Sequence, residues 1–393
     1  MRHLALALIF AFLICSVCYA TQAPEMRVLW VERWDIVSPE ACRKIVAAAK
    51  QYNFNCLVVQ VRGRGDAFYN SHLEPRAQDL ADQPADFDPL GVILKEAHQA
   101  GIQVHAWLNA NYTWGSNTPP KSPEHIANSH PWWLMRNKRN EVVMASSSSY
   151  DGCFGCPSHR AYCNHLRDVF VDLVDNYDVD GVSFDFIRYP NSNFCYCDWC
   201  LARFAAEMNA KITPEQKAAL AAEVGRLAYV QAYPEEWGDF RRGLITDQVY
   251  SIHDAIEAIK PNVAMSASVF ASGNGAYNDR LQDWKRWLAD GKIDILFPMA
   301  YVKSTETFVK YVKDAIASSH GVPVCPNIGS YLIPADSTVE KIAKARELGT
   351  AGAGVYCWAI TKDGKDTSYL KTVYEKAYAS PVSLPVAGSN KSR

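Results

Sequence analysis

The stretch DGVSFDFIRYP, residues 180–190, has the composition of a buried strand but carries a carboxylate near its centre. Alternate side chains of a strand leave opposite faces. This stretch therefore has one apolar and one polar set, namely Val182, Phe184 and Phe186 against Ser183 and Asp185. A carboxylate packed among apolar side chains is costly to desolvate. We therefore expect the apolar set to face helices and Asp185 to point into the mouth of a barrel.

Seven more short apolar stretches alternate with helix-like segments along the chain. The eight predicted strands are 27–33, 56–62, 103–109, 181–187, 263–269, 294–300, 322–328 and 353–360. Several of the intervening segments begin with Pro, Asp or Ser and end at Gly, as helices do. Strict alternation predicts an α/β fold, a (β/α)8 TIM barrel. A doubly wound open sheet is the alternative, but no glycine-rich dinucleotide fingerprint follows the first strand.

The sequence predicts three parts of unequal size. Residues 1–20, with an apolar run and a small-residue end, are typical of a signal peptide. A lipoprotein anchor is the alternative because Cys15 and Cys18 are near, although bulky residues stand where small ones are needed. Residues 21–379 form the barrel, and 380–393 are a predicted disordered tail. We therefore expect an exported protein, periplasmic or extracellular, without a transmembrane segment in the mature chain.

Two long insertions, residues 111–157 and 189–236, follow the third and fourth predicted strands. Both lie where a strand passes to a helix, which is the end at which barrels carry their active sites. The formal net charge of −2 argues against nucleic acid as a partner. The 11 Trp and 20 Tyr residues supply flat rings that suit sugar faces. A polysaccharide or oligosaccharide is the expected partner, and the oligomeric state stays open.

Polar and aromatic side chains gather at the predicted strand ends. In QVHAWLN, residues 103–109, the polar set is in phase and points inward, and Gln60 and Arg62 follow the same period on the second strand. No phosphate-binding loop is visible, so the mouth suits a neutral carbohydrate. The predicted substrate-binding residues are Arg33, Gln60, Arg62, His105, Trp107, Asn109, Arg188, Tyr301, Asn327 and Trp358.

Glycoside hydrolysis usually requires two carboxyl groups, one protonated and one ionised. Asp185 is the candidate for the ionised group, and the candidates for the proton donor are, in order, Asp35, Glu32 and Asp66. Another interpretation is that Asp185 only forms an ion pair with Arg188 or Arg62. In the same way, His105 is either a hydrogen-bonded core residue or a sugar ligand.

Five segments resemble the glycosyl-hydrolase-like family 10 proteins of bacterial envelopes. They are RVLWVERWD, NFNCLVVQVRGRGDAFYNSHLEP, DPLGVILKEAHQAGIQVHAWLNA, DGVSFDFIRYP and DWKRWLADGKIDILFPMAY, within a likeness that extends from 27 to 358. The resemblance implies a (β/α)8 barrel and glycosidase chemistry, in one branch on peptidoglycan glycan strands stripped of their peptides. Asp185 matches the aspartate of the family's DYIRYP-like segment, with Phe186 in place of tyrosine. The matches on strands two and three are Gln60, Arg62, Asp66, His105, Trp107 and Asn109.

The insertions also carry closely spaced cysteines, as CFGC and CYCDWC. Export favours disulfides, which we prefer. A structural zinc site is the weaker alternative, because short spacings across two loops suit a tetrahedral thiolate site. Its candidate ligands are Cys153, Cys156, Cys195, Cys197 and Cys200.

The resulting hypothesis is an exported glycoside hydrolase that acts on a polysaccharide, with peptidoglycan glycan strands as one candidate, and that needs no cofactor. Two alternatives stay open. One is a non-catalytic glycan-binding barrel, and the other is a hydrolase of another exported polysaccharide.

Overall fold

The computed structural model describes residues 23–148, 150–223, 225–361 and 366–385. The predicted signal peptide lies outside the described residues, as do the last eight positions of the predicted tail, 386–393. No helix in the described part of the chain is both long and apolar enough to cross a membrane.

Within the described residues, eight parallel strands close into a barrel, which confirms the predicted fold class. The strands of the chain are β1 Met26–Val31, β2 Cys56–Arg62, β3 Gln103–Asn109, β4 Tyr112–Trp114, β5 Cys153–Phe154, β6 Gly181–Asp185, β7 Ala264–Phe270, β8 Ile295–Ala300, β9 Asn327–Gly329 and β10 Gly352–Tyr356. Around the barrel the order is β1, β2, β3, β6, β7, β8, β9 and β10, and β10 pairs with β1 to close it. The short β4 and β5 form a separate antiparallel pair.

The α-helices surround this barrel or fill the loops above it. They are α1 Pro39–Gln51, α2 Pro89–Gln99, α3 Ile126–Ser129, α4 Arg160–Asn176, α5 Asp198–Asn209, α6 Pro214–Ala222, α7 Ala228–Ala232, α8 Pro234–Ile259, α9 Gly273–Asp279, α10 Trp284–Ala289, α11 Thr305–Ala317, α12 Ala335–Glu347 and α13 Ser368–Ala377. Local sequence fixes their starts: the Ser38 hydroxyl accepts the Ala41 N–H at 3.2 Å at the start of α1. Residues 111–157 contain β4, α3 and β5, and residues 189–236 contain α5, α6, α7 and the first turn of α8.

Four of the eight predicted strands differ from the structure by two residues or more at one end. Strand β1 stops at Val31, and Arg33–Asp35 form a 3-10 helix. Strand β6 stops at Asp185, because Phe186 adopts a positive φ of 49° and leaves the sheet. In the seventh predicted strand only Asn327–Gly329 is regular, preceded by an isolated bridge between Leu296 and Val324. The last strand ends at Tyr356, and Trp358–Thr361 form a 3-10 helix.

The alternation predicted for the strands is seen in the packing. Leu57, Val59 and Val61 belong to the core between the sheet and the helices. The barrel interior has its own core, in which the Trp30 ring lies 5.1 Å from that of Trp107 and 5.4 Å from that of Phe297. These rings fill the barrel below its mouth.

Glycines face the large rings, because two bulky side chains do not fit at the same height. A Cβ atom added to Gly354 would lie 2.3 Å from Asn327 Oδ1 and 2.9 Å from Trp30 Nε1. The same Asn327 oxygen accepts a hydrogen bond from Trp30 Nε1 at 2.8 Å. The absence of a side chain at residue 354 therefore preserves the central hydrogen bond of the barrel.

The start of the predicted tail contacts the base of the barrel. The Ser380 carbonyl accepts a hydrogen bond from Arg27 Nη1 at 2.7 Å, and the Ser383 carbonyl accepts the Glu25 N–H at 3.0 Å. Disorder stays a prediction for the residues beyond 385.

Replacing Gly354 with Ala should lower the free energy of unfolding by about 1–3 kcal/mol, because the new methyl group overpacks the interior. Gly243→Ala is the matched control: a Cβ atom there meets no atom within 4 Å, and the residue lies within α8. The control should raise the stability by up to about 1 kcal/mol, as expected for alanine in a helix. Chemical unfolding of both variants measures the difference, and equal effects would contradict the packing argument.

Candidate active site

A cavity of about 660 Å³ lies at the carboxyl ends of the barrel strands. Eight of the residues predicted from the sequence line it: Glu32, Arg33, Gln60, Trp107, Asn109, Asp185, Arg188 and Tyr301. A second cavity of about 790 Å³ lies among α4, α5 and α8, outside the barrel, and Asp247 supplies the carboxylate among its described lining residues. The first cavity is therefore the candidate active site, because it combines several acids with arginines and aromatic rings.

Asp185 is the central acid of this cavity. It pairs with Asn109 across β6 and β3, and its Oδ1 accepts the Phe186 N–H at 2.7 Å. Only 7% of the residue is exposed. Burial raises the pKa of the Asp185 carboxyl to about 6, and the charge of Asp151 acts in the same direction, whereas Arg188 opposes the rise.

Arg188 forms its ion pair with Asp151 and not with Asp185, the partner considered from the sequence. Its Nη2 lies 3.1 Å from Asp151 Oδ2, and its guanidinium stacks 4.4 Å above the Phe186 ring. Phe186 was predicted to face the helices, and this prediction was wrong. The positive φ at the end of β6 turns its ring into the cavity.

Glu32 is the second well-placed carboxyl group. Its Oε1 accepts the Tyr356 hydroxyl at 2.8 Å, and its Oε2 accepts Trp34 Nε1 at 3.2 Å. Tyr301 lines the cavity together with both acids. Burial raises the pKa of its hydroxyl, and the charges of Asp185 and Glu32 both add to that rise.

A cationic and aromatic platform forms the rim beside Glu32. Gln60 Oε1 accepts a hydrogen bond from Arg33 Nη1 at 2.9 Å. The guanidinium of Arg33 lies 3.7 Å from the centre of the Trp34 ring, and Trp34 is 51% exposed. An exposed indole fixed by an arginine offers a flat apolar face next to hydrogen-bond donors, which is what a sugar ring requires.

Two predicted acids do not line the cavity. Asp66 accepts the Arg64 N–H at 3.2 Å and the Arg64 Nε at 3.3 Å, so it organises the loop after β2. Asp35 is buried in the 3-10 helix Arg33–Asp35 that follows β1. Of the three proton-donor candidates, the structure brings only Glu32 to the cavity with Asp185.

Arg62 is likewise absent from the cavity lining, because the register between β2 and β3 shifts after Gln60. Its guanidinium forms a buried bidentate pair with Glu74, at 2.7 and 2.6 Å. Despite burial, which acts to raise it, the pKa of Glu74 is held at about 2 by Arg62, with His165 contributing. The structure therefore places Arg62 outside the cavity lining that it describes, and the pair with Glu74 holds the loop after β2.

Three further predicted ligands belong to packed regions. His105 faces Gly181 inside the barrel, and burial lowers its pKa to about 4, so it is a neutral core residue. Asn327 is occupied by the indole of Trp30. Trp358 is 3% exposed and packs in the core between sheet and helices. None of the three lines the cavity as the structure describes it.

Several lining residues were not predicted from the sequence. Those in the first insertion are Tyr112, Ser146, Ser147, Tyr150 and Asp151. Loops have no period that reveals direction, so little in the sequence could have placed them. Tyr356 is different, because it was expected among the aromatic residues at the end of the eighth predicted strand, and it lines the cavity from the end of β10.

The cysteines of the insertions do not form the disulfides that we expected from the sequence. All ten cysteines among the described residues are free thiols, so the predicted disulfides are not found there. Cys156, Cys195, Cys197 and Cys200 come together, whereas Cys153 lies apart, with its sulfur 3.0 Å from the Thr113 hydroxyl.

A closed parallel barrel with acids, arginines and aromatic rings at its strand ends defines a TIM-barrel protein of the glycosidase type. The chain belongs to the glycosyl hydrolase-like 10 family, whose model matches residues 25–328. This confirms the resemblance seen in the five sequence segments.

Two curated relatives are distant in sequence. The chain is 24% identical over 278 residues to glycosyl hydrolase YngK of Bacillus subtilis (strain 168), a match that covers 66% of this chain and 48% of YngK. It is 23% identical over 291 residues to glycosyl hydrolase DigH of Escherichia coli (strain K12), covering 67% of this chain and 58% of DigH. The matched region thus spans about half the length of these relatives.

Solved structures share the fold. The glycoside hydrolase domain of PgaB (BpsB) from Bordetella bronchiseptica matches with a TM-score of 0.65 and 13% identity, covering 89% of this chain and 98% of that one. The catalytic domain of the beta-amylase from Paenibacillus polymyxa gives a TM-score of 0.63 and 13% identity, with coverages of 92% and 99%. At these identities the likeness concerns the barrel alone.

The raised pKa of Asp185 predicts a pH-dependent cost to stability. The folded pKa of about 6 exceeds the ordinary value near 3.9, so the stabilising effect of its proton is complete below pH 4 and is lost as the pH rises through 6. Asp185→Asn removes this dependence. The free energy of unfolding of the variant, relative to that of wild type, should rise by about 2–3 kcal/mol from pH 4 to pH 7. Chemical unfolding of both proteins at the two pH values measures this change. Parallel stability curves would contradict the assigned burial of the charge.

Proposed function

We propose that this protein is a glycoside hydrolase that cleaves a polysaccharide in the strand-end cavity, with Asp185 as the proton donor and Glu32 as the ionised carboxylate. The observation that carries the proposal is the buried Asp185, whose pKa of about 6 lets it keep its proton in mildly acidic solution, where an ordinary aspartate is ionised. The two carboxyl groups both line the cavity, and the charge of each adds to the raised pKa of the Tyr301 hydroxyl.

The proposed roles differ from those expected from the sequence, in which Asp185 was the ionised group. Its burial disfavours the charged form, as it does in other glycosidase acids that are shielded from water. Glu32, in contrast, accepts hydrogen bonds through both of its oxygens, in the way an ionised carboxylate does.

The proposed reaction breaks one bond at the anomeric carbon and forms another, with one proton given up by the carboxyl pair and one returned to it. Asp185 donates its proton to the glycosidic oxygen as the bond from that oxygen to the anomeric carbon breaks. Glu32 stabilises the positive charge that develops on the sugar ring. Water then supplies a hydroxyl group to the anomeric carbon, and its other proton returns to the carboxyl pair.

The rim supports a polymer rather than a small metabolite as the substrate. Trp34 and Arg33 provide an open platform at one side of the cavity, and Tyr150 and Asp151 line the wall that the first insertion builds. Amphipathic rings bind sugar faces, and the arginines and Gln60 supply donors and an acceptor for hydroxyl groups. An open groove of this kind accommodates a chain that extends beyond the reacting sugar.

We further propose that the protein acts outside the cytoplasm, on the basis of the signal-like residues 1–20. Peptidoglycan glycan strands stripped of their peptides are therefore the first substrate to test. Chitin-type oligomers and neutral glucans are the next, since the cavity chemistry is common to all of them.

Asp185→Asn and Glu32→Gln should each lower the turnover of the cleaved glycan by at least about 100-fold, because each removes one half of the acid and carboxylate pair. Product mass analysis on the three glycan types measures the loss. Asp66→Asn is the matched control, since Asp66 also follows a strand but lies outside the cavity, and it should retain turnover.

The same experiment separates the alternatives. Unchanged turnover in Asp185→Asn would remove this residue from catalysis. Tight binding of a glycan by the wild-type protein, without any product, would instead identify a non-catalytic glycan-binding barrel.

The pH profile of kcat/KM provides an independent check on the roles. Because the donor must be protonated, the rate should fall as the pH rises through about 6, the pKa of Asp185 in the free protein. A profile that rises through this range would assign Asp185 to the ionised role expected from the sequence.

A further inference from the structure

Four thiols from two separate insertions meet beside the mouth of the barrel. Cys156 follows β5, and Cys195, Cys197 and Cys200 lie in the loop before α5 and in its first turn. All four are buried, and their sulfur atoms all lie within 4.8 Å of one another. Nothing in the proposed hydrolysis uses them.

The distances suit a shared metal rather than covalent bonds between the sulfurs. Cys156 Sγ lies 3.6 Å from Cys197 Sγ and 3.4 Å from Cys200 Sγ, whereas a disulfide bond is about 2.05 Å long. Four thiolates at about 2.3 Å around a tetrahedral zinc ion are separated from one another by roughly 3.8 Å. The cluster is thus close to the size of a closed zinc site.

A buried arginine beside the cluster gives a second, independent indication. Arg241 is 5% exposed, and its guanidinium reaches the cluster loop, where Nη1 donates to the carbonyl of Phe194, the residue before Cys195. In the part of the chain that the structure describes, its guanidinium donates to the backbone carbonyls of residues 192, 194 and 237, and no carboxylate forms an ion pair with it. A buried cation without a counter-charge is strongly destabilising.

A zinc ion with four thiolates resolves this imbalance, because the centre carries a net charge of −2. The backbone also points towards it, since the Arg136 N–H donates to Cys195 Sγ at 3.3 Å. Such outer contacts orient thiolate ligands and spread their charge.

We infer that Cys156, Cys195, Cys197 and Cys200 bind one Zn²⁺ ion as a structural tetrathiolate centre. Four protein ligands leave no position for water, so the ion has no part in the chemistry of the cavity. Cys153, which was among the candidate ligands, is excluded because its sulfur faces Thr113. The assignment of the zinc ligands does not depend on whether the cavity hydrolyses glycans.

The centre would hold one wall of the cavity. It ties the first insertion, which carries Asp151, to the loop that follows Arg188, and these two residues meet at 3.1 Å in the cavity. A backbone hydrogen bond also joins the two insertions beside the cluster: the Tyr196 N–H donates to the Arg136 carbonyl at 2.8 Å. Loss of the metal should therefore loosen both insertions together.

The first test uses the full chain purified without added metal or reductant. Elemental analysis should find one equivalent of zinc. Alkylation followed by peptide mass analysis should show the four cluster thiols protected in the native protein and reactive after chelation. Peptides linked by a disulfide between any two of the four, or reactive thiols with no bound zinc, would overturn the inference.

A pair of variants tests the ligand set. Cys156→Ser should lose zinc and unfold at a lower temperature, whereas Cys153→Ser should keep one equivalent. Both cysteines belong to the same CFGC motif and both are buried, so the comparison separates ligation from packing. Equal zinc contents in the two variants would contradict the assignment.

A spectroscopic readout covers the case in which Cys156→Ser does not fold. Chelated wild-type protein titrated with Co²⁺ should develop thiolate charge-transfer absorption and the strong visible bands of a tetrahedral centre, saturating at one equivalent. A weak spectrum typical of oxygen ligands would overturn the inference.

Discussion

The need to fill the inside of the barrel governs the rest of this molecule. Trp30, Trp107 and Phe297 occupy that space, and the hydrogen bond from Trp30 to Asn327 fixes the arrangement. Together they form an apolar floor inside the barrel, and the cavity lies above it at the strand ends. Asp185 lies just above this floor with little access to water, and this is the physical origin of its raised pKa.

Strand alternation predicted well whether a side chain points into the barrel. It predicted poorly the level along the barrel axis at which an inward side chain lies. Gln60, Trp107, Asn109 and Asp185 point inward as expected and line the cavity. His105 also points inward, but it pairs with Val58 and Gly181 at a lower level and so lies in the packed interior. The period of two in a strand is the same at every level, so it could not separate a buried inward residue from one at the mouth.

The remaining features depend on contacts between segments that are far apart or irregular. Arg62 leaves the expected set because the register shifts and Glu74, in the following loop, offers a buried partner. Phe186 enters the cavity through one positive φ, which no periodic pattern encodes. The cysteine spacing did indicate a cluster. The choice between disulfides and zinc ligation depended on the distances between the sulfur atoms, which the sequence does not give. The expected export of the protein had favoured disulfides instead.

The two ends of the described chain meet at the base of the barrel, where Arg27 binds the carbonyl of Ser380. The cavity lies at the opposite pole, at the carboxyl ends of the strands. A tether, tag or fused module joined at either end of the described chain, at residue 23 or residue 385, would thus leave the mouth facing away from its point of attachment. This polarity makes the molecule suitable for immobilisation on a solid support, with its groove directed towards a large insoluble polymer.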